Sequence, residues 1–227
     1  MVKDKFFWKR PVVVIDYGVG NIFSITNALE HLGYSYMISN KEADIKAASA
    51  LILPGVGAFK EAMNNLNSLG LIPTLEEAVL IQKKPILGIC LGMQILGTSS
   101  EENGHYKGLD WIPGKNVLFT EIGNLKIPHV GWNTVNIKRK IPLFSNILEN
   151  SQPHYYFDHS YHFVCDEEFI SATCNYGKEV VVAIQKENIF GVQFHPEKSQ
   201  NSGFRLYRGF FEYVKSQFKH RMVKMDA

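Results

Sequence analysis

Pro85-Ile86-Leu87-Gly88-Ile89-Cys90-Leu91-Gly92-Met93-Gln94 runs an apolar, strand-like stretch into Gly-x-Cys-x-Gly and then into a helical pattern. Such a strand-to-helix turn holds its central residue in a strained conformation, and the flanking Gly88 and Gly92 let neighbouring backbone come close. The reading puts the Cys90 sulfur at the top of a sheet. It also puts it at the start of a helix, where the dipole favours thiolate. Alone, the same five residues equally suit a small buried cysteine packed between two glycines.

Outward from this turn the same rhythm recurs. Val12 to Asp16 precedes a helical pattern over Ile22 to Leu32, Ala50 to Leu53 precedes another, and Pro85 to Ile89 leads into Leu91 to Leu96. Strands alternating with helices predict βαβ units, an α/β class and a central, mostly parallel sheet with helices on both faces. Such strands are apolar without alternation, as Val12-Val13-Val14-Ile15 and Leu51-Ile52-Leu53 are, and ligands bind at their carboxyl ends. From about Trp111 the pattern turns β-rich, with strands expected over Asn116 to Thr120, Tyr155 to Tyr161, Ile170 to Asn175, Val180 to Gln185 and Ile189 to Phe194. Leu206, Phe210, Phe211 and Val214 then fall at helical spacing within Gly203 to Phe218, predicting a helix with one face on the sheet.

The chain has 227 residues, 45% of them hydrophobic, enough for one sizeable core. We expect a short extension over 1–10, a single domain over 11–219 and a tail over 220–227. A net charge of +2 with scattered Lys and Arg offers no basic stripe for nucleic acid. Apolar runs are strand-sized, so no membrane span is expected, and the basic, aromatic start lacks the form of a signal peptide. Cys90, Cys165 and Cys174 make an odd count without a C-x-x-C pair, which argues against disulfides and zinc and fits a reducing cytoplasm. No metal or cofactor is expected.

Gly191-Val192-Gln193-Phe194-His195-Pro196-Glu197-Lys198-Ser199 places a histidine just past an apolar strand and a carboxylate two residues later. Cysteine catalysis needs both: an imidazole to take and return a proton, and a carboxylate to orient the ring and support the imidazolium. A lone histidine after a strand is more often a capped surface residue; beside the Cys90 turn the balance reverses. His129, His159 and His162 also sit in strand-like contexts, but none is followed at that spacing by a carboxylate. Leu51-Ile52-Leu53-Pro54-Gly55-Val56-Gly57-Ala58-Phe59 is a strand ending in a glycine-rich turn that can aim backbone N–H groups at an oxyanion. Asp16-Tyr17-Gly18-Val19-Gly20-Asn21 resembles the start of a dinucleotide fingerprint, but Phe23 stands where the third glycine belongs. It reads instead as a tight turn, with Asn21 capping the helix that begins at Ile22.

Together, these three pieces resemble the class I, triad-type glutamine amidotransferases. Within that class, Asp16 to Asn21, Pro54 to Phe59, Pro128-His129-Val130-Gly131-Trp132-Asn133, His159-Ser160-Tyr161 and His195 to Ser199 are similar to the glutaminase subunits of imidazole glycerol phosphate synthases. The resemblance spans about Val12 to Phe218. It implies a flavodoxin-like α/β glutaminase that forms a heterodimer with a (β/α)8 synthase subunit, into which it passes ammonia for histidine biosynthesis. By position, Cys90 would form a glutamyl thioester, His195 and Glu197 would complete the triad, and Gly55, Val56 and Gly57 would supply the oxyanion loop. Gly57, Leu91, Gln94, Ser160 and Tyr161 would hold glutamine, and Asn21 and Lys198 would face the partner near the ammonia exit.

Related glutaminase and barrel pairs serve surface-sugar amidation with the same triad, so the acceptor stays open at this stage. A self-contained cysteine hydrolase and a non-catalytic module with a merely packed Cys90 are the rival classes. Turnover by the isolated chain separates the first, and the alkylation rate of Cys90 the second.

Overall fold

The computed structural model describes residues 10–120, 122–148 and 151–225, and for 218–225 the backbone alone. Residues 1–9 of the expected extension and 226–227 of the expected tail lie outside the described residues. The first half follows the expected alternation: β1 (Val12–Ile15), α1 (Ile22–His31), β2 (Tyr36–Ser39), α2 (Glu42–Ala47), β3 (Leu51–Leu53), α3 (Phe59–Ser68), α4 (Leu71–Glu76), β4 (Ile86–Ile89) and α5 (Leu91–Gln94). A π-helical turn over Glu77–Ile81 continues α4. The second half holds β5 (Ser99–Ser100), β6 (Tyr106–Lys107), β7 (Lys115–Leu118), β8 (His129–Thr134), β9 (Asn136–Ile137), β10 (His154–His159), β11 (Tyr161–Val164), β12 (Ile170–Tyr176), β13 (Lys178–Lys186), β14 (Ile189–Val192) and α6 (Gln200–Met225).

The main sheet runs β2-β1-β3-β4-β14-β13-β11-β7-β5-β6, with β12 on β13 and β9 on β12. β2, β1, β3, β4 and β14 are mutually parallel; the pairings from β14 through β13 and β11 to β7 are antiparallel, and β5 joins β7 in parallel. The unalternating apolar strands now have their cause. Val12 and Val14 enter the core beneath α1 and α6, whereas Val13 and Ile15 enter the core beneath α2, α3 and α4. Each face of β1 is covered, so each residue must be apolar. At roughly 25 cal/mol per Å² of buried apolar surface, every such residue adds to the two cores.

α6 meets its expected pattern and is longer than the segment from Gly203 to Phe218. Leu206, Phe210, Phe211 and Val214 are all buried. Gly209 lets it sit on the Pro142–Phe144 turn, since a Cβ there would lie 2.4 Å from the Pro142 carbonyl oxygen. β8 and β10 form a separate antiparallel ribbon, joined to the main body where His195 N–H donates to the Tyr156 carbonyl at 2.9 Å. Among the described residues no helix is long and apolar enough to cross a membrane.

Candidate active site

Cys90 follows β4 at φ 55° and ψ −111°, a left-handed conformation that L side chains rarely adopt. The turn is held from both sides: Cys90 N–H donates to the Val192 carbonyl at 2.8 Å, and the Cys90 carbonyl accepts from Met93 N–H at 3.0 Å. Both glycines are required by contact. A Cβ on Gly88 would stand 2.6 Å from the Gly92 carbonyl oxygen, and one on Gly92 would stand 1.9 Å from the Leu53 carbonyl oxygen. The helix after the sulfur differs from expectation. α5 is a single turn of four residues, so its dipole gives the sulfur less support than the pattern from Leu91 to Leu96 implied.

The turn after β14 brings the second group. His195 Nδ1 pairs with Glu197 Oε1 at 2.7 Å, with both side chains almost fully buried. The backbone around the pair is tied down, because the Ser199 hydroxyl donates to the His195 carbonyl at 2.5 Å and accepts from Tyr156 N–H at 3.0 Å. Burial pulls the imidazole toward its neutral form, but Cys90 and Glu197 outweigh it and raise the His195 pKa to about 10. With Nδ1 committed to the carboxylate, Nε2 is the nitrogen left for the sulfur.

Two contacts on Cys90 were not foreseen. The buried Gln193 amide points its nitrogen at Sγ from 3.7 Å, and the thiol approaches the Asp158 carbonyl at 3.9 Å. Gln193 lay in the quoted His195 segment, but nothing in its spacing marks it as a neighbour of Cys90. Gln94 is also more constrained than expected. Its amide nitrogen donates to the Tyr161 carbonyl at 3.2 Å and to Gln193 Oε1 at 3.1 Å, leaving only its oxygen for a ligand.

The sulfur opens into a cavity of about 260 Å³ at the carboxyl ends of the parallel strands. Val56, Gly57, Leu91, Gln94, Ser160, Tyr161, His195 and Lys198 line it with Cys90, together with Pro128, Asp158 and His159. Glu102, which no sequence pattern singled out, also lines it; its carboxylate accepts the Phe59 N–H at 2.7 Å. No motif flags a carboxylate in that turn. Gly55 lies behind the cavity, packed so closely on α5 that a Cβ would stand 2.6 Å from Gly92 N.

The Asp16 to Asn21 loop supports this wall. The Tyr17 hydroxyl donates to the Pro54 carbonyl at 2.6 Å, and a Cβ on Gly20 would stand 2.9 Å from Pro54 Cβ. Gly18 and Gly20 both have positive φ, as a tight turn requires. Asn21 stands at the N-terminal boundary of α1 but makes no side-chain capping bond, contrary to the capping role expected; its ψ of 64° departs from the extended backbone typical of a cap. Nor does Asn21 line the cavity, whereas Lys198 does, with Nζ 5.2 Å from the Tyr156 ring centroid. Among the described residues, no three His, Cys, Asp or Glu side chains converge as a metal site.

A glycine-braced sulfur, a buried His-carboxylate pair and a glycine-rich loop around one cavity are the parts that cysteine-dependent acyl transfer requires. Residues 13–212 match the family "Glutamine amidotransferase class-I", and the chain belongs to it. Curated relatives narrow the likeness. The chain is 48% identical to "Imidazole glycerol phosphate synthase subunit HisH 1" of Campylobacter jejuni, covering 88% of this chain and 98% of that one. It is 46% identical to "Imidazole glycerol phosphate synthase subunit HisH 2" of Vibrio vulnificus, over 91% and 96% of the two chains, and 46% identical to the HisH 2 subunit of Pseudomonas aeruginosa, over 89% and 100%. Among solved structures, a putative GMP synthase subunit from Thermoplasma acidophilum shares the fold, with a TM-score of 0.69, 19% identity and coverage of 94% and 98%.

Proposed function

We propose that this chain is the glutaminase subunit of an imidazole glycerol phosphate synthase, with Cys90, His195 and Glu197 as its catalytic triad. The observation that carries the reading is the buried His195–Glu197 pair, 2.7 Å apart, set beside a sulfur that opens into the cavity. A positively charged imidazole beside a cysteine favours the nucleophilic thiolate. The sulfur attacks the side-chain amide carbon of glutamine, and the carbonyl oxygen becomes an oxyanion near the backbone amides of Gly55, Val56 and Gly57. His195 Nε2 donates its proton to the departing nitrogen, ammonia leaves, and a thioester remains on Cys90. Water then adds to the thioester as His195 takes its proton; glutamate departs and the sulfur is restored. Glu197 holds the ring through Nδ1 and orients it.

Gln94, through its free oxygen, and Ser160, Tyr161, Leu91 and Gly57, through their place on the cavity wall, hold the substrate. Glu102 supplies a negative charge suited to the α-ammonium group. Asn21 and Lys198 belong to the face from which ammonia leaves. Apolar surface supports docking of a (β/α)8 synthase subunit there: Trp132 is half exposed and packs on Tyr156, the ring beneath Lys198, and Phe23 is 78% exposed on α1, which itself packs on the Pro196–Lys198 turn. The free, unbridged Cys90, Cys165 and Cys174 suit a reducing cytoplasm.

One second reading fits the same cavity and triad: a paired subunit with the same chemistry that feeds a surface-sugar acceptor. The test is ammonia release from glutamine by the chain and by Cys90→Ala, each alone and with the synthase subunit from the same genome, with and without the phosphoribosyl acceptor. Cys90-dependent release that rises steeply only with partner and acceptor supports the first reading. Cys90-dependent release indifferent to that acceptor supports the second, and release indifferent to Cys90 removes both.

A further inference from the structure

Opposite His195, a second histidine closes the cavity wall. His159, buried at the end of β10, lines the cavity, and among the described residues its ring nitrogens meet His129 and a carbonyl in place of a carboxylate. Its partners form a line. Asn133 Nδ2 meets His129 Nε2 at 3.2 Å, His129 Nδ1 meets His159 Nε2 at 3.0 Å, and His159 Nδ1 meets the Tyr161 carbonyl at 2.8 Å.

Both ends decide the protons. The Asn133 amide is oriented by its oxygen accepting Thr134 N–H at 2.8 Å and its nitrogen donating to the Asn175 carbonyl at 3.0 Å, so it presents an N–H to His129 Nε2. His129 must then carry its proton on Nδ1 and donate it to His159 Nε2. At the other end a carbonyl can only accept, so His159 must carry its proton on Nδ1. Both assignments agree, and both rings are neutral. Burial pushes His129 down to about 4 and His159 down to about 3, consistent with that state. The rings cannot readily turn, since His129 stacks between Phe157 and Tyr176, with centroids 4.5 and 3.9 Å away.

Resting on the glutaminase reading, we propose that His129 and His159 are positioning residues: a neutral, directional hydrogen-bond relay that fixes the Ser160–Tyr161 turn for glutamine binding. The Tyr161 carbonyl is where the relay meets the nucleophile's helix, for it also accepts the Gln94 amide nitrogen at 3.2 Å. The relay therefore sets one wall of the cavity against the other. His162 stays outside it: among the described residues, neither of its ring nitrogens hydrogen-bonds to a member of the relay.

Two measurements test the relay in the full-length chain. Long-range 15N–1H correlation spectra of the histidine-labelled protein at pH 7 should show both rings neutral and protonated at Nδ1; an Nε2–H tautomer on either would overturn it. In glutamine hydrolysis with the synthase subunit and its phosphoribosyl acceptor present, His129→Leu should raise KM about tenfold while kcat and its pH profile stay within about threefold. His129→Asn, whose amide nitrogen stands near the lost Nδ1, should recover most of that rise. An unchanged KM in His129→Leu, or equal losses in both variants without rescue, would overturn the proposal. If wild-type hydrolysis proves indifferent to Cys90→Ala, the glutaminase reading fails, and the tautomers still decide the relay.

Discussion

His195 and His159 stand on the same cavity, both nearly inaccessible to solvent, yet one is held positive and the other neutral. Burial disfavours the imidazolium in both. His195 escapes because Glu197 and Cys90 supply negative partners, raising it to about 10; His159 meets a carbonyl and another neutral ring and falls to about 3. Partner chemistry, and not depth, decides which histidine can handle a proton. One wall is thereby suited to proton transfer and the other to holding shape.

The contrast breaks most visibly at the carboxylate. Glu197→Gln removes the charge that sustains the imidazolium, and Cys90-dependent ammonia release should fall roughly 10³-fold, measured at saturating glutamine. Gly92→Ala attacks the positioning of the sulfur instead. Its Cβ has no space beside the Leu53 carbonyl, so the unfolding free energy should drop by about 3 kcal/mol in chemical denaturation, and turnover should fall with it.

The two walls should also respond to pH in opposite directions. His195 is raised above its unfolded value of about 6.5, so its contribution to stability is full below that pH and disappears as pH climbs through about 10. His129 and His159 are lowered, so theirs is full above about 6.5 and disappears as pH falls through about 4 and 3. Thermal unfolding of Glu197→Gln should accordingly lose part of the alkaline decline, and that of His129→Leu part of the acid decline. The smallest change in the free chain belongs to the exposed surface: Trp132→Ala should shift its stability by no more than about 0.5 kcal/mol. The same substitution should weaken capture of the synthase subunit by about 2 kcal/mol in calorimetry.

The same pair of histidines shows what a sequence reveals. His195 and Glu197 lie two positions apart, so their partnership is written locally, as is the Cys90 turn with its two glycines. β1, β3 and β4 were legible because strands covered on both faces lose all polar residues. β2 was not: Met37 and Ile38 are exposed on an edge strand, and no run of buried residues marks it. His129 and His159 are 30 positions apart and meet only because β8 pairs with β10 in register. Gln193 and Cys90 meet in the same way, through β14 on β4, and Glu102 reaches the cavity from a turn far off in sequence. Local chemistry can be read from spacing, but contacts made by strand pairing need the pairing itself.

The missing space around Gly92 bears on where water can travel. A gap too tight for a methyl group is too tight for a water molecule, so none passes between the Leu53 carbonyl and Gly92. In the proposed reaction, water that cleaves a thioester on Cys90 would therefore come from the cavity above. Substrate and hydrolytic water would then share one opening, and whatever covers it would govern the order of traffic through it.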